Sequence, residues 1–201
     1  VIVDAEDGRA TRRKPRADGL RNRERLVEAA KAGFADVGPA VSLEDIARRA
    51  GVGIGTLYRH FPSRDAIVEA VYRREVQQLS DAATRLVEVM APGEALHAWM
   101  RLFVDYVATK RLIAPALGSI AGGASELFAL SGARILDAVT PLVDRARGNG
   151  DIREDVQPTD VLRALFGLTY GNADPDWADS ALRLIDVVMD GLRAHRPSDP
   201  A

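Results

Sequence analysis

From residue 20 onward, apolar residues recur at spacings of three and four, and the runs are separated by glycine, proline and asparagine breaks. That is the spacing of amphipathic helices, and no stretch alternates long enough to make a strand. Leu26, Ala29, Ala30, Gly33, Phe34 and Val37 share one face of a first helix, which Gly38-Pro39 stops. Ser42 offers an N-cap oxygen with Asp45 three residues on, so a short helix is expected over 43–50. Gly51 suits a left-handed C-terminal residue, and a second short helix follows over 56–60, closed by Phe61-Pro62. Ser63 caps a long helix to about 90, in which Ile67, Val68, Val71, Tyr72, Val76, Leu79, Leu86 and Met90 keep the period.

Further helices are expected over 94–109, over about 111–120, and from Ser125 to about 147. One more starts at Pro158 with Asp160 just inside and ends near Gly171, and the last runs over about 177–193. No internal repeat appears. The pattern predicts an all-α chain of about nine helices.

A chain of 201 residues with 47% hydrophobic and 28% charged residues buries a core without staples. It has no cysteine, which excludes disulfides, thiolate metal sites and a cysteine nucleophile and suits a reducing cytoplasm. The longest uncharged run, 112–125, contains Pro115 and is shorter than the roughly 20 apolar residues of a membrane span. No membrane association is expected, and acidic residues before basic ones at the N-terminus do not make a secretory signal. The net charge of −2 hides an asymmetry, because residues 9–25 hold eight basic and two acidic side chains. Such an arm, with Arg12, Arg13, Lys14 and Arg16 at its centre, gains by displacing counterions from phosphates; a solvated tail is the alternative reading.

The two short helices over 43–60 have small residues where they must cross: Ala47 on the first and Gly51 in the turn, with Ile46, Val52 and Leu57 filling the space between. This is a helix-turn-helix, whose second helix enters the major groove and presents Thr56, Tyr58, Arg59 and His60 outward. A merely structural αα-hairpin is disfavoured by the basic arm in front of it.

The run Ser42-Leu43-Glu44-Asp45-Ile46-Ala47, then Ala50-Gly51-Val52, then Gly55-Thr56-Leu57-Tyr58-Arg59-His60-Phe61, with Ser63-Arg64 and Ile67, resembles the DNA-binding domain of the TetR family of bacterial transcriptional regulators. The segment 150–156 with Pro158 and Asp160-Val161 resembles the junction before the last two helices of many actinobacterial members. The resemblance implies a flexible basic arm over 1–19, a DNA-binding domain over 20–79, and a helical effector-binding and dimerisation domain over 80–201.

It further implies a homodimer on a palindromic double-stranded DNA operator. Ser42 and Arg64 would bind phosphates, Tyr58 and His60 would anchor the recognition helix, and Gly53, Ile54, Gly55, Thr56 and Arg59 would face bases. Ile54 and Gly55 carry no side-chain hydrogen bonds, so base reading would fall on Thr56, Arg59 and contact of Ile54 with a thymine methyl. The last two helices carry wide apolar stripes, Val161, Leu162, Leu165 and Leu168 with Leu182, Ile185, Val188 and Met189, as a bundle completed by a second copy requires.

The aromatic residues Trp99, Phe103, Tyr106, Phe128, Phe166 and Tyr170 form either ordinary core or, in part, the wall of a cavity; Leu117 and Ile135 join them as candidate ligand contacts. Tyr106, Thr140 or Tyr170 would orient a mostly apolar effector of unknown identity. Gly51, Gly53 and Gly55 lack the strand and the Lys-Ser/Thr pair of a phosphate loop. His60, His97 and His195 are too scattered for a helical metal site, with His97 expected to face solvent. No nucleophile elbow or paired base appears, so neither enzyme activity nor a cofactor is expected. Two functions remain: a ligand-released repressor, or a DNA-binding activator or architectural protein without an effector.

Overall fold

The computed structural model describes residues 14–118, 125–170 and 176–193, with side chains from residue 17 on. These residues form eight helices: α1 (Lys14–Val37), α2 (Leu43–Arg49), α3 (Ile54–His60), α4 (Arg64–Val89), α5 (Pro92–Leu117), α6 (Ser125–Gly148), α7 (Pro158–Tyr170) and α8 (Trp177–Leu192). The chain is all-α, with a single β-bridge between Ile152 and Arg193 among the described residues. It divides into two compact units, one ending at Val71 and the other beginning at Tyr72.

In the first unit, called the head below, α1 buries Leu26, Val27, Ala30 and Phe34. Ile46 and Ala47 of α2, Leu57 of α3 and Ile67 of α4 are buried as well, and each fully buried large side chain contributes about 1.5–3 kcal/mol. Gly38, at φ +84°, stops α1. Ser42 caps α2 reciprocally: its Oγ accepts from the Asp45 backbone N–H at 3.0 Å and donates to Asp45 Oδ2 at 2.9 Å. Gly51, at φ +64°, makes the turn between α2 and α3, a conformation that costs an L side chain about 1–2 kcal/mol. The Ser63 Oγ accepts from the Ala66 N–H at 3.2 Å and caps α4.

In the second unit α5 is the central element, packed against α6, α7 and α8, while α7 also packs against α6 and α8. Its buried face includes Ala95, Leu96, Trp99, Met100, Phe103, Val107, Ile113 and Leu117. Trp99 Nε1 donates to the Leu79 carbonyl at 3.0 Å, which satisfies the one polar atom of the largest buried ring. The Gly93 N–H donates to Asp151 Oδ2 at 2.8 Å and ties the start of α5 to the turn after α6.

Two expectations change. The helix begins at Lys14, not near residue 20, because Pro15 is tolerated in a first turn and Asp18 pairs with Arg21 one turn on. The helices expected over 94–109 and 111–120 are one: nothing at Lys110 breaks the ladder, and Pro115 removes a single bond in the exposed last turn. That merger accounts for eight helices instead of nine. The division between the two units falls within α4, and Tyr72 shares in the aromatic core of the second.

Candidate functional site

The first candidate surface is the outer side of α3. Leu57 is wholly buried, which turns the rest of this two-turn helix outward. Ile54, Gly55, Tyr58 and Arg59 are exposed on one face, with Gly53 just ahead of them. A Cβ built at Gly53 or Gly55 would meet nothing within 4 Å, so the backbone there is bare and open to close approach. Thr56 and His60 are half-buried, less outward than expected, and the His60 ring sits 6.5 Å from that of Phe61.

Two residues assigned to phosphates are occupied within the chain. Arg64 Nη1 donates to the Val41 carbonyl at 2.6 Å, Nη2 donates to the Pro39 carbonyl, and the guanidinium lies 5.8 Å from the centre of the Phe34 ring. It staples the loop between α1 and α2 and is half-buried there. The Ser42 hydroxyl is held on both sides by Asp45. Arg12 and Arg13 lie outside the described residues, whereas Lys14 and Arg16 fall in the first turn of α1.

Sequence reasoning counted Arg23 and Arg25 only as charge. The structure puts Arg23 over the Phe61 ring at 5.0 Å, and Arg25 Nη2 within 2.7 Å of the place a Gly51 Cβ would take. Their position in α1, at the end of the basic run, was the available signal.

The second candidate lies inside the second unit. The expected aromatic residues do come together: Phe103 sits 6.1 Å from Trp99, 5.5 Å from Tyr106 and 5.3 Å, edge-on, from Phe166, and Phe166 is 5.9 Å from Tyr170. Tyr72 extends the chain of rings to Phe128, 5.6 Å away edge-on, and its hydroxyl is 3.1 Å from that of Tyr106. Burial, then this hydrogen bond, pushes the Tyr106 hydroxyl far above the ordinary tyrosine range, so it stays neutral. Burial raises that of Tyr170 too, against the opposing charge of Arg111.

Trp99, Phe103, Tyr106, Leu117 and Ile135 are buried, while Phe128 and Tyr170 are partly open to solvent. The Thr140 hydroxyl donates to the Leu136 carbonyl of its own helix at 2.8 Å and is spent there. The expected aromatic residues thus join one chain of rings, while open grooves lie elsewhere. One of about 280 Å³ is lined by Arg73, Val76, Gln77, Leu127, Leu130, Ser131 and Arg134. Another of about 860 Å³ runs past Glu94, His97, Asp151, Asp186 and Arg193. His97 is half-buried and not free in solvent, with Nε2 2.7 Å from Asp186 Oδ1 of α8.

Lys110 escaped the sequence reading. Its Nζ lies 4.6 Å from the centre of the Phe128 ring, 5.5 Å from Tyr170 and 5.9 Å from Tyr72. A lysine four residues after Tyr106, on the same face of α5, was the signal that could have found it.

The stripes assigned to a partner copy are largely used within the chain. Val161, Leu165 and Ile185 are buried at 1% exposure or less, and Leu162 and Met189 are nearly so, in a bundle where α7 packs against α5, α6 and α8 and α8 packs against α5 and α7. Leu168, Leu182 and Val188 are half-buried. The apolar residues that α8 turns outward are Leu184, at 41% exposure, and Val187, at 65%. A continuous stripe in sequence did not separate these two from their buried neighbours.

A three-helix head with an open two-turn reading helix, followed by a helical bundle, defines a helix-turn-helix regulator. Residues 26–71 match the family described as bacterial regulatory proteins, tetR family, and residues 91–194 match the C-terminal domain of SbtR-like transcriptional regulators. The crystal structure of a TetR transcriptional regulator from Streptomyces coelicolor is 42% identical, with a TM-score of 0.77 over 87% of this chain and 99% of that one. That of a TetR regulator from Mycobacterium vanbaalenii is 36% identical, with a TM-score of 0.75 over 90% and 99% of the respective chains. An HTH-type transcriptional regulator of Mycobacterium tuberculosis is 29% identical over 133 residues, 59% of this chain, and the match spans 63% of that relative, under two thirds of its length. The chain belongs to the TetR family of bacterial transcriptional regulators. Among the described residues no helix is long and apolar enough to cross a membrane.

Proposed function

We propose that the protein is a cytoplasmic repressor that binds a palindromic DNA operator as a homodimer and is released by a small, largely apolar effector, with no catalytic activity of its own. The observation that carries this reading is the outer face of α3, where Ile54, Tyr58 and Arg59 stand exposed around the bare backbone of Gly53 and Gly55. A helix of this kind reads base edges only when seated in the major groove, and a dimer seats two of them about 34–36 Å apart or at a longer groove-matched distance. Leu184 and Val187, apolar and outward on α8, are the residues a second copy would cover.

Selection of bound duplexes from a random library tests the reading. The expected product is an inverted repeat bound by the dimer, with affinity lost when either half-site is scrambled. Enrichment of no sequence, or of a single unrepeated site, overturns it.

A further inference from the structure

The geometry points to Lys110 as the anchor for the carboxylate of a monoanionic, largely apolar ligand, at the open end of the aromatic cluster in the second unit. The inference rests on the reading of this unit as the effector-binding part, and it adds the chemical class of the effector.

Four helices converge on this ammonium: α5 supplies Lys110 itself, and α4, α6 and α7 supply the rings of Tyr72, Phe128 and Tyr170, all within 6 Å. Ring faces are electronegative and stabilise a half-buried cation, but they accept its hydrogen bonds poorly. Among the described residues no hydrogen bond or ion pair reaches the Lys110 ammonium. Its three donors are therefore available to an acceptor that the described residues do not provide. With the faces of the rings taken by the ammonium, an arriving anion meets their electropositive edges.

The neighbours select charge and shape. Arg111 is committed elsewhere, with its guanidinium 4.0 Å from the centre of the Trp177 ring and bonded to the Thr169 carbonyl. That leaves one cation for the ligand, which matches a carboxylate and not a dianionic phosphate. A cationic ligand would face Lys110 and Arg111 together. The Tyr72 and Tyr106 hydroxyls bond to each other at 3.1 Å, and burial holds that of Tyr106 in its neutral form. The partly exposed rings of Phe128 and Tyr170 leave apolar surface beside the ammonium for the body of the ligand.

The test is calorimetric titration of the purified full chain, without DNA, by matched probes: 1-naphthoate against 1-naphthamide, octanoate against octanamide, and a naphthyl trimethylammonium salt. At least one carboxylate is expected to bind about tenfold or more tightly than its amide, the scale of a hydrogen bond to a charged group. Lys110→Met should erase that difference and Lys110→Arg should keep it, with circular dichroism melts showing both variants folded. If Lys110→Met does not fold, Lys110→Gln takes its place. Absence of any carboxylate preference, its survival in the charge-free variant, or tightest binding of the quaternary ammonium overturns the proposal. Release from the selected operator is assayed separately. A carboxylate that binds through Lys110 yet leaves DNA affinity unchanged keeps the site and removes the release mechanism. A neutral compound that releases DNA keeps the mechanism and removes the site.

Discussion

The two units place their polar chemistry on opposite sides of their helices. In the head, α3 buries Leu57 and turns Tyr58 and Arg59 outward around open glycine backbone. In the second unit, α5 turns Tyr106 and Lys110 toward rings contributed by three other helices. A surface helix of the first kind meets a large, charged partner, and its outward residues carry little of the fold. Groups of the second kind are part of the core, so binding and stability are bound to the same atoms. Substitutions should therefore separate binding from folding in the head and couple them in the bundle.

The largest expected effects come from the two cores. Phe103→Ala removes a ring that touches Trp99, Tyr106 and Phe166, at a cost of about 3–5 kcal/mol, and Leu57→Ala should cost about 2–5 kcal/mol. Scanning calorimetry with DNA binding measured in parallel distinguishes them. Leu57→Ala should abolish operator binding while the bundle's transition stays near its wild-type temperature, and Phe103→Ala should lower that transition. Equal shifts of one common transition by both variants would erase the distinction between the units.

Next is Arg59→Ala. Its side chain is exposed on α3, so stability should change by no more than about 0.5 kcal/mol. Operator affinity should fall by about 1–3 kcal/mol, with preference relaxed at one base pair. Equal losses on operator and random DNA would move Arg59 to the phosphate backbone.

Local signals made the head legible. The Ser42 cap, Gly51 at its positive φ, and the apolar plug of Ile46 and Leu57 act over a few residues, and each holds in the structure. What the head withheld were contacts that cross it, above all Arg64 reaching back to Val41 and Pro39. In the bundle the helical period revealed which faces are apolar but not what covers them. Val161, Leu165 and Ile185 belong to the stripes read as a surface for a second copy and are already buried within the chain, and Lys110 gains meaning only from rings 18 to 60 residues away in sequence. Nothing in a one-dimensional pattern records such convergence.

The third effect exposes the buried chemistry of the bundle through pH. Burial raises the Tyr106 hydroxyl above its value in the unfolded chain, which is near the ordinary value of about 10. The fold favours the protonated phenol, so this contribution is complete below about pH 10 and is lost as pH rises past that point. Tyr106→Phe should soften the alkaline fall in stability. At neutral pH it should cost about 1–3 kcal/mol, because the Tyr72 hydroxyl then loses its buried bond to Tyr106. Denaturant melts from pH 7 to 11 measure both, and a parallel alkaline fall in the two proteins would show that Tyr106 is not the group responsible.

The smallest effect bears on Ser42, the N-cap of α2 by its geometry and a phosphate contact by resemblance. As the N-cap of α2 its hydroxyl acts on the Asp45 N–H, and replacement should follow capping preference: Ser42→Ala costs about 0.5–2 kcal/mol and Ser42→Gly only a few tenths. As a phosphate ligand it would follow a different order, since alanine and glycine lack the hydroxyl alike and would weaken DNA binding equally. The two variants therefore separate the roles. Chemical denaturation ranks them by stability, and fluorescence anisotropy on the operator ranks them by affinity. The reciprocal bonding with Asp45 predicts that affinity follows stability, with Ser42→Gly close to wild type in both. Equal loss of affinity in two variants of unequal stability would return Ser42 to the DNA interface and make the cap secondary.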